Sequence, residues 1–158
     1  MGEEWIKMER RIFGLRAEIV RFYNVYGPGE LVDSHMAAVI GLWRAAVKKG
    51  EPILIHGNGE QRRDFTHIDD VVEANVLAAM STNVEVDGEL FNIGTGLNYN
   101  MLDLAAMIGK PATNVLHIPE RKGESRETLV DITKAKRLLS WEPKVVLTEW
   151  IDRQYGRI

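Results

Sequence analysis

Trp5, Met8 and Ile12, with Ile6 and Phe13 beside them, recur at helical spacing near the start of the chain, and Gly14 is a natural helix stop. The pattern then shortens to an apolar run, Ala17 to Phe22, which predicts a buried strand. Tyr23 to Asp33 is punctuated by Gly27-Pro28-Gly29 and predicts a loop. Ser34 stands where it can cap the next helix. In that helix Met36, Val39, Ile40, Trp43 and Val47 fall at i, i+3, i+4, i+7 and i+11, one apolar stripe. Lys48 and Lys49 suit the negative end of its dipole, and Gly50 ends it.

Further on, Ile53-Leu54-Ile55 predicts a short strand, Gly57-Asn58-Gly59 a turn, and Asp64-Phe65-Thr66 another strand. Asp69 is expected to cap a helix carrying Val72, Val76 and Met80. Leu90 to Ile93 is a strand closed by Gly94-Thr95-Gly96. Asn100 caps a helix with Met101, Leu104, Ala105 and Ile108 on one side. Val115 to Ile118 is a strand. Asp131 caps a short helix through Leu139, which Trp141-Glu142-Pro143 breaks, and a last helix carries Leu147, Trp150, Ile151 and Tyr155. The order of elements is mixed α/β, with no repeat and no linker-like tract.

Composition narrows the chemistry. A chain of 158 residues can bury a real core. A net charge of −3 lacks the footprint of a general nucleic-acid binder, so basic residues act locally, on a small anion. The absence of cysteine excludes disulfides, thiolate zinc and thiol nucleophiles. His35, His56, His67 and His117 form no i, i+4 pair, so no metal site is expected. No apolar run approaches the roughly 20 residues of a membrane span. The start is acidic where a signal peptide is basic, and Ile6 stands where myristoylation needs Ser or Thr, so a cytoplasmic protein is expected. Gly27-x-Gly29, Gly57-x-Gly59 and Gly94-x-Gly96 each lack the third glycine of a dinucleotide loop, and no tyrosine is followed four residues later by lysine.

Six segments together carry a resemblance. They are Arg21-Phe22-Tyr23-Asn24-Val25-Tyr26-Gly27-Pro28, Gly50 to Phe65, Asp69-Asp70-Val71-Val72, Leu90 to Gly96, Arg121-Lys122-Gly123-Glu124 and Asp131 to Pro143. In this order and at this spacing the chain resembles the substrate-binding part of NAD-dependent nucleotide-sugar epimerases and dehydratases, the extended short-chain dehydrogenase family. The resemblance implies an α/β fold. It would consist of a partial Rossmann-type fold (its last strands and helices) plus the small α/β substrate-binding subdomain of that family. Residues 1–158 would form the C-terminal part, with the N-terminal NAD-binding region absent. Gly2-Glu3-Glu4-Trp5 resembles the continuation of the helix that begins with the family's Tyr-x-x-x-Lys pair, so that pair is expected upstream of Met1.

The implied sites follow residue by residue. Arg63 and Arg121 match the arginines that hold the diphosphate, and the guanidinium fork suits phosphate oxygens; composition alone would make each a surface ion pair. Glu124 matches a carboxylate able to accept from ribose hydroxyls, although a solvated loop charge fits the bare residue equally. Asn24 can donate and accept toward phosphate or sugar, or can simply build a turn before Gly27. Ile55 and His56 lie in the strand whose backbone reads the base, with His56 where the family often stacks an aromatic ring. Phe22 and Tyr23 match positions beside the nicotinamide; by themselves they read as core aromatics. Asp64, Asp69 and Asp70 read as structural. Arg62 reads as solvated. No residue is assigned a catalytic role or a metal.

The implied function is to bind the nucleotide diphosphate of a nucleotide sugar, most simply a UDP-sugar, within an NAD-dependent 4-epimerase that removes and returns a hydride at sugar C4. The isolated chain is expected to be inactive and not to bind NAD tightly. Alternatives are a 4,6-dehydratase or decarboxylase fragment, or a non-catalytic module binding a nucleotide sugar or a partner. Arg63 and Arg121 are expected to converge on one diphosphate-sized hollow. The Ala17–Phe22 strand and the apolar side of the first helix are expected to self-associate or to pair with a missing N-terminal half.

Overall fold

The computed structural model describes residues 2–32, 37–109 and 113–155. Its elements run α1 (Gly2–Phe13), β1 (Ile19–Phe22), β2 (Val25–Tyr26), α2 (Val39–Lys49), β3 (Ile53–His56), β4 (Arg62–Asp64), β5 (Thr66–His67), α3 (Ile68–Met80), β6 (Leu90–Ile93), β7 (Asn98–Asn100), α4 (Met101–Ile108), β8 (Val115–Ile118), α5 (Thr133–Leu139) and α6 (Leu147–Tyr155). The strands pair two by two. β1 with β6, β2 with β5 and β3 with β8 are parallel, and β4 with β7 is antiparallel. The fold is α/β, with helices crossing between parallel strands.

Two apolar cores follow from this. One gathers α2, β3, α4 and α6: Ile40, Ile53, Ile55 and Leu104 are fully buried there, with Trp43, Ile108 and Trp150 around them. The helical spacing seen in the sequence explains it, since Ile40 and Trp43 lie on one face of α2, and Met101, Leu104, Ala105 and Ile108 on one face of α4. Trp43 also ties α2 to β3 by donating its indole N–H to Leu54 O at 3.1 Å. The second core joins α3, β6 and α5 through Val71, Ala74, Ala78, Phe91, Ile93, Leu139 and Trp141. Each large side chain so buried contributes about 1.5–3 kcal/mol before entropy is counted.

Two buried carboxylates stitch these parts, as the structural reading of Asp64 and Asp70 expects. Asp64 accepts from Thr95 N at 2.8 Å, Thr95 Oγ1 at 2.6 Å, Gly96 N at 2.9 Å and Val130 N at 3.3 Å. Asp70 accepts from Lys144 N at 3.0 Å and Val145 N at 3.2 Å, while its carbonyl takes the Trp141 indole N–H at 3.0 Å. Several N–H donors on one buried carboxylate replace the water it has lost.

Several local expectations need correcting. The cap of α3 is His67, whose Nδ1 accepts Asp69 N–H at 3.2 Å; Asp69 itself lies within the first turn. The face of α3 turned to the core is Val71, Ala74 and Ala78, while Val72, Val76 and Met80 point outward, because the short residues allow α3 to lie close on its neighbours. The strand expected over 64–66 is two short pieces divided at the buried Phe65, and the loop after β1 contains the two-residue β2. Ser34 and Met36 lie outside the described residues, and α2 starts at Val39 without a side-chain cap. α5 ends at Leu139 as expected, but the turn that stops it is made by Ser140, with a left-handed φ of 52°, one residue before Trp141. Asn100 caps α4 as expected, accepting Asp103 N–H at 2.7 Å.

α1 differs from every other long helix. It buries no residue. Trp5, Ile12 and Phe13 are exposed, and Phe22 of β1 is 44% exposed. Its ties to the rest of the chain are ionic: Glu3 pairs with Arg21, and Arg10 with Asp87. Among the described residues no helix is long and apolar enough to cross a membrane.

Candidate functional site

The hairpin from β3 to β4 is built by glycine. Gly57 and Gly59 have φ of 65° and 81°, and a Cβ on Gly59 would lie 2.8 Å from Leu102, so the turn closes on α4 only without a side chain there. Beyond the turn, β4 has neighbours on both sides. β7 pairs with one edge. On the other, Arg62 N donates to Arg126 O at 2.8 Å and Thr128 N to Arg62 O at 3.0 Å. That second edge draws the loop after β8 against β4 and brings two distant sequence segments together.

The contacts then run through most of the residues singled out in the sequence. Arg63 is nearly buried and donates to Glu124 Oε1 at 2.9 Å and to Arg62 O at 2.9 Å. Glu124 closes a turn by donating its N–H to Arg121 O at 3.3 Å, with Gly123 in the left-handed region at φ 79°. Arg121 Nε donates to His56 Nε2 at 2.9 Å, and His56 Nδ1 lies 2.9 Å from Pro119 O. On the other side, Asn24, with φ 37°, donates its amide to Asp64 O at 2.6 Å, next to Arg63. Tyr23 holds the end of β1 in place, its N–H donating to Ile93 O at 3.2 Å and its carbonyl accepting Thr66 Oγ1 at 2.8 Å. Arg63, Glu124, Arg121 and His56 thus form one connected line, with Asn24 beside it through Asp64 O.

Ile55 and Phe22 stand apart from it. The Ile55 side chain belongs to the first core and its backbone is in register with His117 across the β3–β8 ladder. Phe22 lies at the carboxyl end of the parallel β1–β6 pair with its ring exposed. Arg62, read as solvated in the sequence, is instead bound: its guanidinium donates to Asn98 Oδ1 at 2.7 Å and Asn98 O at 2.8 Å, locking β4 to β7.

Two surface hollows are formed elsewhere. One, of about 530 Å³, runs between β3, β8 and α4 and is mainly apolar, lined by Ile55, Leu102, Ala105 and His117 among others. The other, of about 200 Å³, lies under the loop after β2 and is lined by Tyr26, Gly27, Pro28 and Glu30 among others. Neither is lined by Arg63, Arg121 or Glu124, so the hollow expected between the two guanidinium groups is neither of these. The smaller one adjoins residues that sequence reading passed over. Tyr26 and His67 meet edge to face at 5.2 Å, Trp150 packs on both, and the Tyr26 hydroxyl and His67 Nε2 are buried without a hydrogen-bond partner among the described residues. Burial, helped by the nearby Asp70 charge, holds the Tyr26 phenol well above its ordinary pKa, so it stays a neutral O–H donor. Its place in Tyr26-Gly27-Pro28 was the available signal. Among the described residues no group of three or more acidic or histidine side chains could hold a metal ion.

A sequence profile of the NAD dependent epimerase/dehydratase family matches residues 1–94. The chain belongs to that family. Similar proteins extend the match over nearly all of it. The UDP-glucose 4-epimerase of Mycolicibacterium smegmatis is 34% identical over 96% of this chain and 48% of its own. Among solved structures, a UDP-glucose 4-epimerase from Thermotoga maritima with UDP-glucose superposes with a TM-score of 0.85 at 38% identity, over 94% of this chain and 48% of that one. A UDP-glucuronic acid 4-epimerase from Bacillus cereus, in complex with UDP-glucuronic acid and NAD, gives 0.84 at 29% identity over 98% and 51%. The family member described here therefore spans about half the length of the relatives it matches. Its parallel strand pairs and crossing helices match the Rossmann-type architecture of those enzymes.

Proposed function

We propose that this chain is the C-terminal, substrate-binding portion of an NAD-dependent nucleotide-sugar 4-epimerase and that it anchors the nucleotide diphosphate. The observation that carries this is the connected line Arg63, Glu124, Arg121 and His56, drawn from three separate segments onto β4 and one turn, with Asn24 of a fourth bonded to Asp64 O beside it. A diphosphate needs fixed cations with several donors, and arginine has five N–H groups. Arg63 spends two on Glu124 and Arg62 O, and Arg121 spends its Nε on His56, so each keeps further N–H groups for phosphate oxygens. Glu124 then both orients Arg63 and presents its second oxygen to ribose hydroxyls. Asn24 flanks the diphosphate, and the backbone of Ile55 and His56 borders the base.

NAD fits the residues present only at its edge. Phe22 and Tyr23 lie at the carboxyl end of β1, where such sheets receive ligands, but no glycine-rich phosphate loop accompanies them. NAD, when bound, would supply hydride chemistry at sugar C4, and this chain's part would be to hold the nucleotide in place. UDP-sugars are the substrates favoured by the names of the relatives.

Calorimetric titration of the chain with UDP-glucose tests this reading. Saturable binding that Arg121→Ala or Arg63→Ala weakens by roughly tenfold or more is expected, the scale of a charge-assisted hydrogen bond to phosphate. Binding unchanged in both variants, or absent in the wild type, overturns it. The chain alone is expected to show no epimerase turnover.

A further inference from the structure

His56 leaves β3 with both ring nitrogens committed to partners that cannot exchange roles. Pro119 O can only accept and Arg121 Nε can only donate, each at 2.9 Å. The ring proton is therefore on Nδ1, Nε2 offers its lone pair, and the imidazole is neutral. The carbonyl of His56 is held as well, accepting Gln61 Nε2 at 2.8 Å, so the residue is fixed at both ends.

We propose that His56 is a positioning residue for Arg121 and that its neutral Nδ1–H form is the one in which the site holds a nucleotide-sugar diphosphate. This rests on the reading of Arg121 as a phosphate ligand. Arg121 is exposed, and an exposed arginine samples many rotamers. Bonding at Nε orients the guanidinium plane and leaves the two terminal nitrogens, the end of the fork, as donors. A second ring proton can go only to Nε2. It removes the acceptor that orients Arg121 and sets imidazolium against guanidinium. Histidine is the side chain whose charge ordinarily changes between about pH 5 and 8.

The surrounding charges come from three elements. From the loop after β8, Glu120 lies with Cδ 3.8 Å from where a Cβ on Gly57 would stand, and Lys122 follows Arg121. Arg126 spans Glu120 at 4.0 Å and Glu60 of the hairpin at 3.6 Å, so these charges offset one another. From β8, His117 places Nδ1 2.7 Å from Gly57 O. Arg121 is the cation in direct contact with the His56 ring. The residue thus acts as a proton-sensitive latch on one of the two proposed diphosphate ligands.

The test is titration with UDP-glucose, whose diphosphate diester keeps its charge across the range, at about pH 7.5 and about pH 5.5. The wild type is expected to bind roughly tenfold more weakly at the lower pH. His56→Gln places an amide oxygen near the Nε2 position and cannot gain a proton there; whatever its affinity at the higher pH, it should lose the pH dependence. His56→Leu should be roughly tenfold weaker at both values. A His56→Leu chain that binds like wild type, or a His56→Gln chain that keeps the wild-type pH profile, overturns the proposal. Nitrogen-15 spectra of the ligand-free imidazoles separate this from failure of the diphosphate reading. Binding that Arg121→Ala leaves unchanged sinks that reading and the latch with it, whereas finding His56 protonated at Nε2 at about pH 7.5 sinks the latch and leaves the diphosphate reading standing.

Discussion

α1 and α4 are both amphipathic in sequence, yet one is packed and the other is not. α4 turns Met101, Leu104, Ala105 and Ile108 into the first core and buries all four. α1 carries Trp5, Ile12 and Phe13 and buries none of its residues. α4 is held by apolar contact with α2, β3 and α6; α1 is held by Glu3–Arg21 and Arg10–Asp87 at its margins. Periodicity reports that a helix has an apolar face, but whether something covers that face is a separate fact. The β1–α1 side of the molecule is where this chain, at about half the length of its relatives, leaves apolar surface open.

The largest effect that could break the comparison is on global stability. Leu104→Ala should cost about 2–5 kcal/mol by urea denaturation, through lost burial and the cavity left behind. Trp5→Ala, a larger truncation on paper, should stay within about 0.5 kcal/mol if α1 is unsupported. Equal losses would mean that α1 is packed in solution.

Next in size is association. The chain is expected to dimerise through the open side, and Trp5→Ser combined with Phe13→Ser should raise the dimer dissociation constant by roughly tenfold or more in sedimentation equilibrium. A wild-type chain that stays monomeric at high concentration would remove the claim that the exposed face needs a partner.

The smallest effect concerns the ionic ties. The Arg10 hydrogen bond, with the Ala17 N–H, holds the Asp87 carboxyl below its ordinary pKa despite partial desolvation, and Arg21 does the same for Glu3. A depressed folded value contributes stability that is complete above the unfolded carboxylate range, about pH 4, and is lost as pH falls through the folded value. Amide exchange in α1 should therefore accelerate below about pH 4 before exchange in α4 does. Asp87→Asn should speed exchange in α1 at neutral pH and weaken that acid dependence. Added salt should act in the same direction on α1 and leave α4 unchanged, since exposed pairs are screened.

Much of the local structure was legible. The strand over Leu90–Ile93, the strand over Val115–Ile118 and the Asn100-capped helix follow from runs, turn residues and caps that act over a few positions. The α3 cap and core face were not. His67 is an uncommon cap, and the face that packs is the one with short side chains, Ala74 and Ala78, rather than the one with the larger Val72, Val76 and Met80. β7 and the two-residue β2 escaped notice, and β5 was legible only as the end of one strand over 64–66, because their partners lie far away in the chain and their residues carry no strong pattern. At the candidate site, residue types in order suggested Arg63, Arg121 and Glu124. That Glu124 pairs with Arg63, that His56 receives Arg121, and that Arg62 serves Asn98 could not be read from spacing.

The sequence by itself determined the α/β order of elements, the apolar faces, the turn glycines and the family, because each is written in nearby residues or in motifs of fixed order. The tertiary structure decided which faces find a partner and which polar groups meet. It drew the 121–128 loop against β4, and so gave Arg63, Glu124, Arg121 and His56 one another as neighbours. Hydrogen bonds act over about 3 Å in space regardless of separation along the chain, so the register of distant backbone edges, which no local pattern encodes, sets the chemistry of the site.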